Sequence, residues 1–308
     1  MSSALSLRPL AQQVIVVTGA SSGIGMATVL TAARKGAKVV LAARSDETLS
    51  SIVRQIAATG GTSMSFHVDV TDRAQLERLA DETLDRFGRI DTWVNNAGVS
   101  IYGRLDQVSE ADSRRLFDVN FWGIVNGSLV ALQHLRTRGG AIINLGSEAS
   151  EEVLPLQGMY CASKHAVKGF TDALRVEIEE VDHAPVSITL IQPTAVDTPY
   201  PEHARNYMDR EPKLPDPMID PQRVADAILD AACHHRRDVK VGMQAKLNTL
   251  LAKLAPQLAD KMAARYVDRQ QREDPPMHPE GTLDEPGQSG RVHGRGAPRG
   301  EARRPTVH

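Results

Sequence analysis

Tyr160 and Lys164 stand four residues apart in Gly158-Met159-Tyr160-Cys161-Ala162-Ser163-Lys164. On a helix this spacing puts both side chains on one face, where an ammonium can hold a phenol in its ionisable state. A free phenol titrates at about 10, too high for efficient proton exchange at neutral pH, and a neighbouring cation corrects that. Ser147, at the end of the predicted strand Ala141 to Leu145, can donate to the same substrate oxygen and stabilise the negative charge that develops there. A phenol that moves a proton and a hydroxyl that steadies an oxygen are the parts needed for hydride transfer.

The glycine-rich run Thr18-Gly19-Ala20-Ser21-Ser22-Gly23-Ile24-Gly25 lies between a predicted strand and a predicted helix. Such a turn lets the backbone approach a pyrophosphate, whose charge the helix N-terminus stabilises. The three-residue gap between Gly19 and Gly23 departs from the G-x-G-x-x-G spacing and marks another branch of nucleotide-binding folds. Cofactor choice falls to the end of the second strand, Val39-Val40-Leu41-Ala42-Ala43-Arg44-Ser45. An acidic residue there would accept from a free ribose 2′-hydroxyl, whereas arginine favours a 2′-phosphate through charge-assisted bonds. Ala43 and Arg44 therefore argue for NADP(H), with Ser21, Ser22 and Ser45 as further donors. Asp69-Val70 would lie beside the adenine, the Asp69 carboxylate accepting from the exocyclic amine; a helix-capping role suits Asp69 equally well. In Asn95-Asn96-Ala97-Gly98 the small residues let the backbone run against a cofactor, and the asparagines can tie adjacent strands together.

Short β-rich runs alternate with stretches of helical period: 14–18 then 23–35, 38–42 then 46–59, 63–69 then 72–87. That alternation predicts βαβ units, hence an α/β doubly wound parallel sheet (a Rossmann fold) with helices on both faces. Strands follow at 92–95, 141–145 and 186–191; Ser109-Glu110-Ala111-Asp112 has capping-box form and announces a long helix. The helix 221–234 and the strand 238–241 would complete the sheet. Residues 1–13 form a lead-in and 14–242 a single domain. Residues 243–271 form a helical extension, with Leu247, Leu250, Leu251, Leu254 and Leu258 as an apolar stripe between interleaved lysines. From Arg272 to His308 Pro, Gly, Arg and Glu dominate, and so apolar-poor a segment is expected to stay mostly disordered. Its arginines could contact an acidic partner.

The 308 residues carry 41% hydrophobic and 24% charged side chains, enough for a substantial core, and a net charge of -2. This balance gives no footprint for nucleic acid or an anionic membrane. Only Cys161 and Cys233 are present, so neither a disulfide framework nor a cysteine metal cluster is expected, which fits a reducing, cytoplasmic setting. The first thirteen residues lack a signal-peptide core, and no apolar run approaches the length of a membrane span.

With these motifs in order, the chain resembles the short-chain dehydrogenases/reductases over roughly Val14 to Gly242. The resemblance rests on Thr18-Gly19-x-x-x-Gly23-Ile24-Gly25, Asn95-Asn96-Ala97-Gly98, Asn120, Ser147 and Tyr160-x-x-x-Lys164. It implies a homodimer or homotetramer that uses a nicotinamide cofactor on a small carbonyl or alcohol. It also implies that Asn120 holds a water connecting Lys164 to solvent, and that Pro193, Thr194 and Thr198 lie at the nicotinamide, Thr198 at its carboxamide. Thr194 replaces a common glycine, which reduces backbone freedom at that turn. The Pro-rich loop from Pro199 to Ile219 takes the place of a substrate lid.

Cys161 reads as a packing residue, Glu148, Glu151 and Glu152 as a solvated loop, and His234-His235 as a helix end. Two other classes compete: a cofactor-binding interaction protein without turnover, and a peripheral membrane enzyme reducing a lipid, docked through 245–267.

Overall fold

In the computed structural model of the protein, residues 6–242, 256–265, 267–287 and 290–295 are described. Seven parallel strands form the main sheet: β1 (Val14–Thr18), β2 (Lys38–Ala43), β3 (Thr62–His67), β4 (Thr92–Asn95), β6 (Gly140–Leu145), β7 (Val186–Pro193) and β9 (Asp238–Val241). Two short strands, β5 (Ile101–Tyr102) and β8 (Arg205–Asn206), pair with each other above it. The main order is β3-β2-β1-β4-β6-β7-β9. The chain thus winds outward in both directions from a switch point between β1 and β4, and in open sheets the crevice beyond the strands' carboxyl ends at that point receives ligands.

Helices cover both faces, so central strands read as unbroken apolar runs: all five residues of β1 are buried. Alternate residues separate into two cores. Ile15, Val17, Val39 and Leu41 pack with α1 (Gly23–Arg34), α2 (Asp46–Ala58) and α7 (Pro221–Cys233). Val14, Val16, Val40 and Trp93 pack with α3 (Arg73–Phe87), α5 (Gly123–Arg138) and α6 (Gly158–Arg175).

The predicted long helix after Ser109 starts as expected, the Ser109 side chain accepting from Asp112 N–H, and runs as α4 (Glu110–Phe117). A π-helical turn, Asp118–Trp122, then interrupts it before α5. Such turns are frequent at functional sites because the extra residue redirects side chains; this one carries Asn120.

Within the extension expected over 243–271, Pro256–Ala264 forms α8, while 243–255 lie outside the described residues. The predicted apolar stripe from Leu247 to Leu258 falls outside the described residues and side chains. Beyond it, residues 272–287 and 290–295 lie against the domain, a difference from the disorder expected after Arg272. The 199–219 loop supplies backbone partners that composition does not reveal. Arg272 N–H donates to Glu211 O, Asn206 N–H to Pro279 O and Thr282 N–H to His203 O, each at 2.8 Å. A single apolar side chain, Leu283, is 1% exposed and anchors the segment in the second core. Arg291 and Arg295 both pair with Glu202 of the same chain. The rest of the predicted tail, from 296, lies outside the described residues.

Candidate active site

One continuous cleft runs along the carboxyl ends of β1, β2, β4, β6 and β7. Its lining includes Gly19, Ser21, Ser22, Gly23, Ile24, Arg44, Asp69, Val70, Asn96, Ala97, Gly98, Ser147, Tyr160, Lys164, Pro193, Thr194 and Thr198. Residues picked out over 180 positions of sequence are thus brought to one surface.

At one end stands the glycine turn. Gly19 has φ +64° and Gly23 φ +51°, conformations that exclude most side chains. A Cβ at Gly25 would lie 2.2 Å from Gly19 O and 2.6 Å from Asn96 Nδ2, so the helix closes tightly onto the turn. Thr18 and Asn96 lock the two strand ends together: Asn96 N–H and Ala97 N–H donate to Thr18 Oγ1 at 3.0 and 3.1 Å, and Asn96 Nδ2 donates to Thr18 O and Gly19 O. Asn95 ties strands as expected, donating to Asn144 Oδ1 of β6 at 2.8 Å and to Ser128 Oγ, while its carbonyl accepts from Trp93 Nε1.

Asp69 does not cap a helix; Asp72 does that for α3. Its carboxylate accepts from Arg115 at 2.7 Å and from Thr71 N–H and Oγ1. Those bonds outweigh partial burial and hold its pKa below the usual carboxylate value.

At the other end Ser147 follows β6 and caps a short 3₁₀ turn, its Oγ accepting from Ala149 N–H at 3.1 Å. An accepting hydroxyl keeps its own proton to give away. The hydroxyls of Ser147 and Tyr200 face the phenol of Tyr160 and favour its ionised form, and the Tyr200 ring lies edge-on to it at 5.6 Å. Burial pushes Tyr160 up to about 12, and these two hydroxyls pull it part of the way back. The sequence leads to the expectation that Lys164 and the charge of an oxidised nicotinamide together lower the phenol; within the protein itself burial is the largest influence. Lys164 Nζ donates to Leu145 O at 2.8 Å and sits 5.8 Å from the Tyr160 ring centre. Desolvation brings its pKa down to about 8. Asn120 is buried, accepting from Val99 N–H at 2.8 Å and donating to Val99 O and Ser163 Oγ. A Cβ at Gly98 would be 3.4 Å from Asn120 Oδ1 and 3.9 Å from Lys164 Nζ, so the two groups flank the same glycine.

Thr194 donates from N–H to Val241 O and from Oγ1 to Glu148 at 3.0 Å. Opposite it, Gly242 has φ +110°, and a Cβ there would stand 2.4 Å from Thr194 Cγ2. A glycine just after β9 therefore makes room for the threonine just after β7, its neighbour in the sheet, a compensation that local reading misses. Thr198 packs over Gly23. Glu148 and Glu151 do not form the solvated loop expected: besides the Thr194 bond, Glu151 accepts from Gln192 Nε2 and pairs with Lys240 at 3.2 Å. Cys161 is buried and its thiol pushed up to about 11, in keeping with packing.

The substrate side holds residues that motif reading did not assign. Gln157, 2% exposed, accepts from Tyr200 Oη and Ser100 Oγ and donates to Gln270 Oε1 at 2.7 Å. Gln270 thus brings the C-terminal segment to the wall facing Tyr160. No local pattern marks it, because its role depends on a fold-back over a hundred residues.

The glycine cradle, with space that a Cβ would fill, and the Ser147–Tyr160–Lys164 group in the same cleft fit a nicotinamide dinucleotide. Comparison with known proteins agrees. The family model for the short chain dehydrogenases matches residues 13–208, and the chain belongs to that family. It is an oxidoreductase acting on a CH–OH group with NAD(P). It is 43% identical over 278 residues to the uncharacterized oxidoreductase YxnA of Bacillus subtilis, covering 89% of this chain and 78% of the relative. A short chain dehydrogenase/reductase from Burkholderia phymatum in complex with NAD superposes with a TM-score of 0.74 at 27% identity, covering 82% of this chain and 96% of the other. An alcohol dehydrogenase from Thermococcus sibiricus complexed with 5-hydroxy-NADP gives 0.66 at 26% identity, covering 74% and 95%. Among the described residues no helix is long and apolar enough to cross a membrane.

Proposed function

We propose that the protein is an NADP(H)-dependent oxidoreductase that interconverts a small carbonyl compound and a secondary alcohol, with Tyr160 as acid and base. The observation that carries this reading is that Tyr160, Ser147 and Lys164 line one cleft with the glycine turn. Bound nicotinamide would supply or accept the hydride and, when oxidised, a positive charge beside the phenol. In reduction the substrate carbon takes the hydride while its oxygen takes the Tyr160 proton, and Ser147 donates to the same oxygen as charge builds on it. In oxidation the phenolate removes the hydroxyl proton. Lys164 would bind the nicotinamide ribose and lend positive charge below about pH 8, and Asn120 would hold the water leading to it. Gly19, Ser21, Ser22, Gly23, Ile24 and Gly25 would receive the pyrophosphate, and Asp69, Val70, Ala97 and Gly98 the adenosine.

Arg44, with no acidic residue beside it at the end of β2, supports NADP(H), and cellular NADPH favours the reductive direction. Exposed Trp122, 52% accessible and stacked edge-on against Phe121, supports a homodimer or homotetramer. The two unpaired cysteines fit a cytoplasmic setting.

The reading is tested by screening ketones and aldehydes for NADPH oxidation with wild type and Tyr160→Phe. Turnover lost by at least about a hundredfold in the variant, with NADPH still bound, is expected. Near-wild-type turnover in Tyr160→Phe would overturn the mechanism.

A further inference from the structure

Arg44 already has partners within its own chain. Its Nη1 donates to Asp284 O at 2.7 Å and to Leu283 O at 3.4 Å, and its Nη2 to Thr282 O at 2.6 Å. Beside it Ser45 Oγ donates to Gly287 O at 2.9 Å, and the N–H of Gly23, at the start of α1, donates to Arg291 O at 2.9 Å. Five backbone carbonyls of the C-terminal segment therefore meet donors placed for phosphate oxygens. The charge is matched as well. Asp284 lies 3.8 Å from Arg115, next to Arg44, and Glu285 follows it, so two carboxylates supply negative charge where a 2′-phosphate would bring it.

The segment is pinned on both sides of Arg44. Before it, Gly281 has φ +60° and lies so close to Ala204 that a Cβ would come within 2.5 Å of the Ala204 carbonyl carbon; Leu283 is buried in the core. After it, Arg291 pairs with Glu202 at 2.6 Å and His293 with Asp197 at 3.1 Å. The cleft nevertheless continues past this strap, lined by Asp69, Val70 and Gly287. The Gly23 contact belongs to Arg291, beyond the strap, so what residues 282–287 themselves contest is Arg44 and Ser45.

We propose that residues 282–287 are an intramolecular occupant of the 2′-phosphate subsite, competing with NADP(H) for Arg44 and Ser45 and thereby setting the preference between the two nicotinamide cofactors. This rests on the reading of Arg44 given under Proposed function. A ligand that must displace an internal competitor binds more weakly by the fraction of molecules in which the site is open. NAD(H), which makes no use of Arg44, escapes that penalty. The balance between strap and phosphate, and not the arginine alone, then decides which cofactor the protein takes.

The experiment uses the full-length chain, two release variants, Gly281→Val and Leu283→Asp, and the milder surface pair Asp284→Asn with Glu285→Gln. Calorimetric titration with adenosine 2′,5′-bisphosphate and with 5′-AMP reads the subsite without any nicotinamide, after circular dichroism has verified folding. Release is expected to tighten the bisphosphate by about tenfold, roughly 1.4 kcal/mol, and to change 5′-AMP by less than about threefold. The surface pair, which leaves the apolar anchor intact, is expected to tighten the bisphosphate by roughly twofold to fivefold at low salt. Unchanged or weakened bisphosphate binding in the folded variants, or equal gains for both ligands, would overturn the proposal. Arg44→Ala separates the two layers. If it leaves bisphosphate affinity unchanged in wild type and in Gly281→Val alike, the Arg44 reading itself fails. If it weakens binding while release has no effect, the strap proposal alone fails.

Discussion

Lys164 and Tyr160 share a helix face, yet the lysine ammonium bonds the Leu145 carbonyl at 2.8 Å and stands 5.8 Å from the centre of the tyrosine ring. Within the protein itself, ionisation of the phenol is therefore governed by burial and by the hydroxyls of Ser147 and Tyr200. On the mechanism proposed above, Tyr200 would be a positioning residue that tunes Tyr160.

Replacing Tyr200 by Phe keeps the ring and removes the hydroxyl that pulls Tyr160 down. An interaction of this kind contributes about 1 kcal/mol, so the ascending, acid-side limb of the pH profile for alcohol oxidation, where the phenol must ionise, is expected to move up by a little less than about one unit. An unchanged profile would reduce Tyr200 to a packing role.

Lys164→Met is expected to trade function for stability. The folded-state pKa of about 8 lies below the ordinary 10.5, so between these values the unfolded chain binds more protons and this group's contribution to stability rises with pH. Below pH 8 the charge is buried at full cost, about 3 kcal/mol, partly offset by the bond to Leu145 O. The variant should gain about 2 kcal/mol at pH 7 once the orphaned carbonyl is counted, and the gain should vanish towards pH 10.5. Urea unfolding at pH 7 and 9.5 reads it; a variant less stable at both would contradict this.

Asn95→Leu removes the donor to Asn144 and Ser128 and the acceptor for Trp93 Nε1, all within the buried core. Unmet polar groups there should cost about 3 kcal/mol, seen as a lower urea midpoint with an unchanged slope. A loss under about 1 kcal/mol would mean that the network repairs itself.

The sheet was legible because its signals are local. Unbroken apolar runs such as Val14 to Val17 and helices of regular period leave few alternatives, and strand limits fell within two residues of those read from sequence, as with β2 ending at Ala43 and β3 at His67. The candidate site was legible in part because Tyr160 and Lys164 sit one helical turn apart and both line the cleft. What escaped reading depends on contacts distant in sequence. Gly242 accommodates Thr194 from another strand, Gln270 reaches Gln157 across more than a hundred residues, and the strap of 282–287 carries one buried leucine and no periodicity. Composition marked that strap as mostly disordered because it meets its partners through backbone carbonyls, which every residue type provides equally.

The central claim is that a nicotinamide dinucleotide lies across this cleft with its reactive end at Tyr160. It is tested most directly by titrating the full-length protein with NADPH and NADH, following nicotinamide fluorescence, beside Tyr160→Phe and Gly25→Ala. At Gly25 an added Cβ would stand 2.2 Å from Gly19 O and force the turn apart. The account predicts saturable binding by wild type and by Tyr160→Phe, weakened at least about tenfold, roughly 1.4 kcal/mol, in Gly25→Ala. Wild type that binds neither cofactor, or a Gly25→Ala variant that binds as well as wild type, would contradict it.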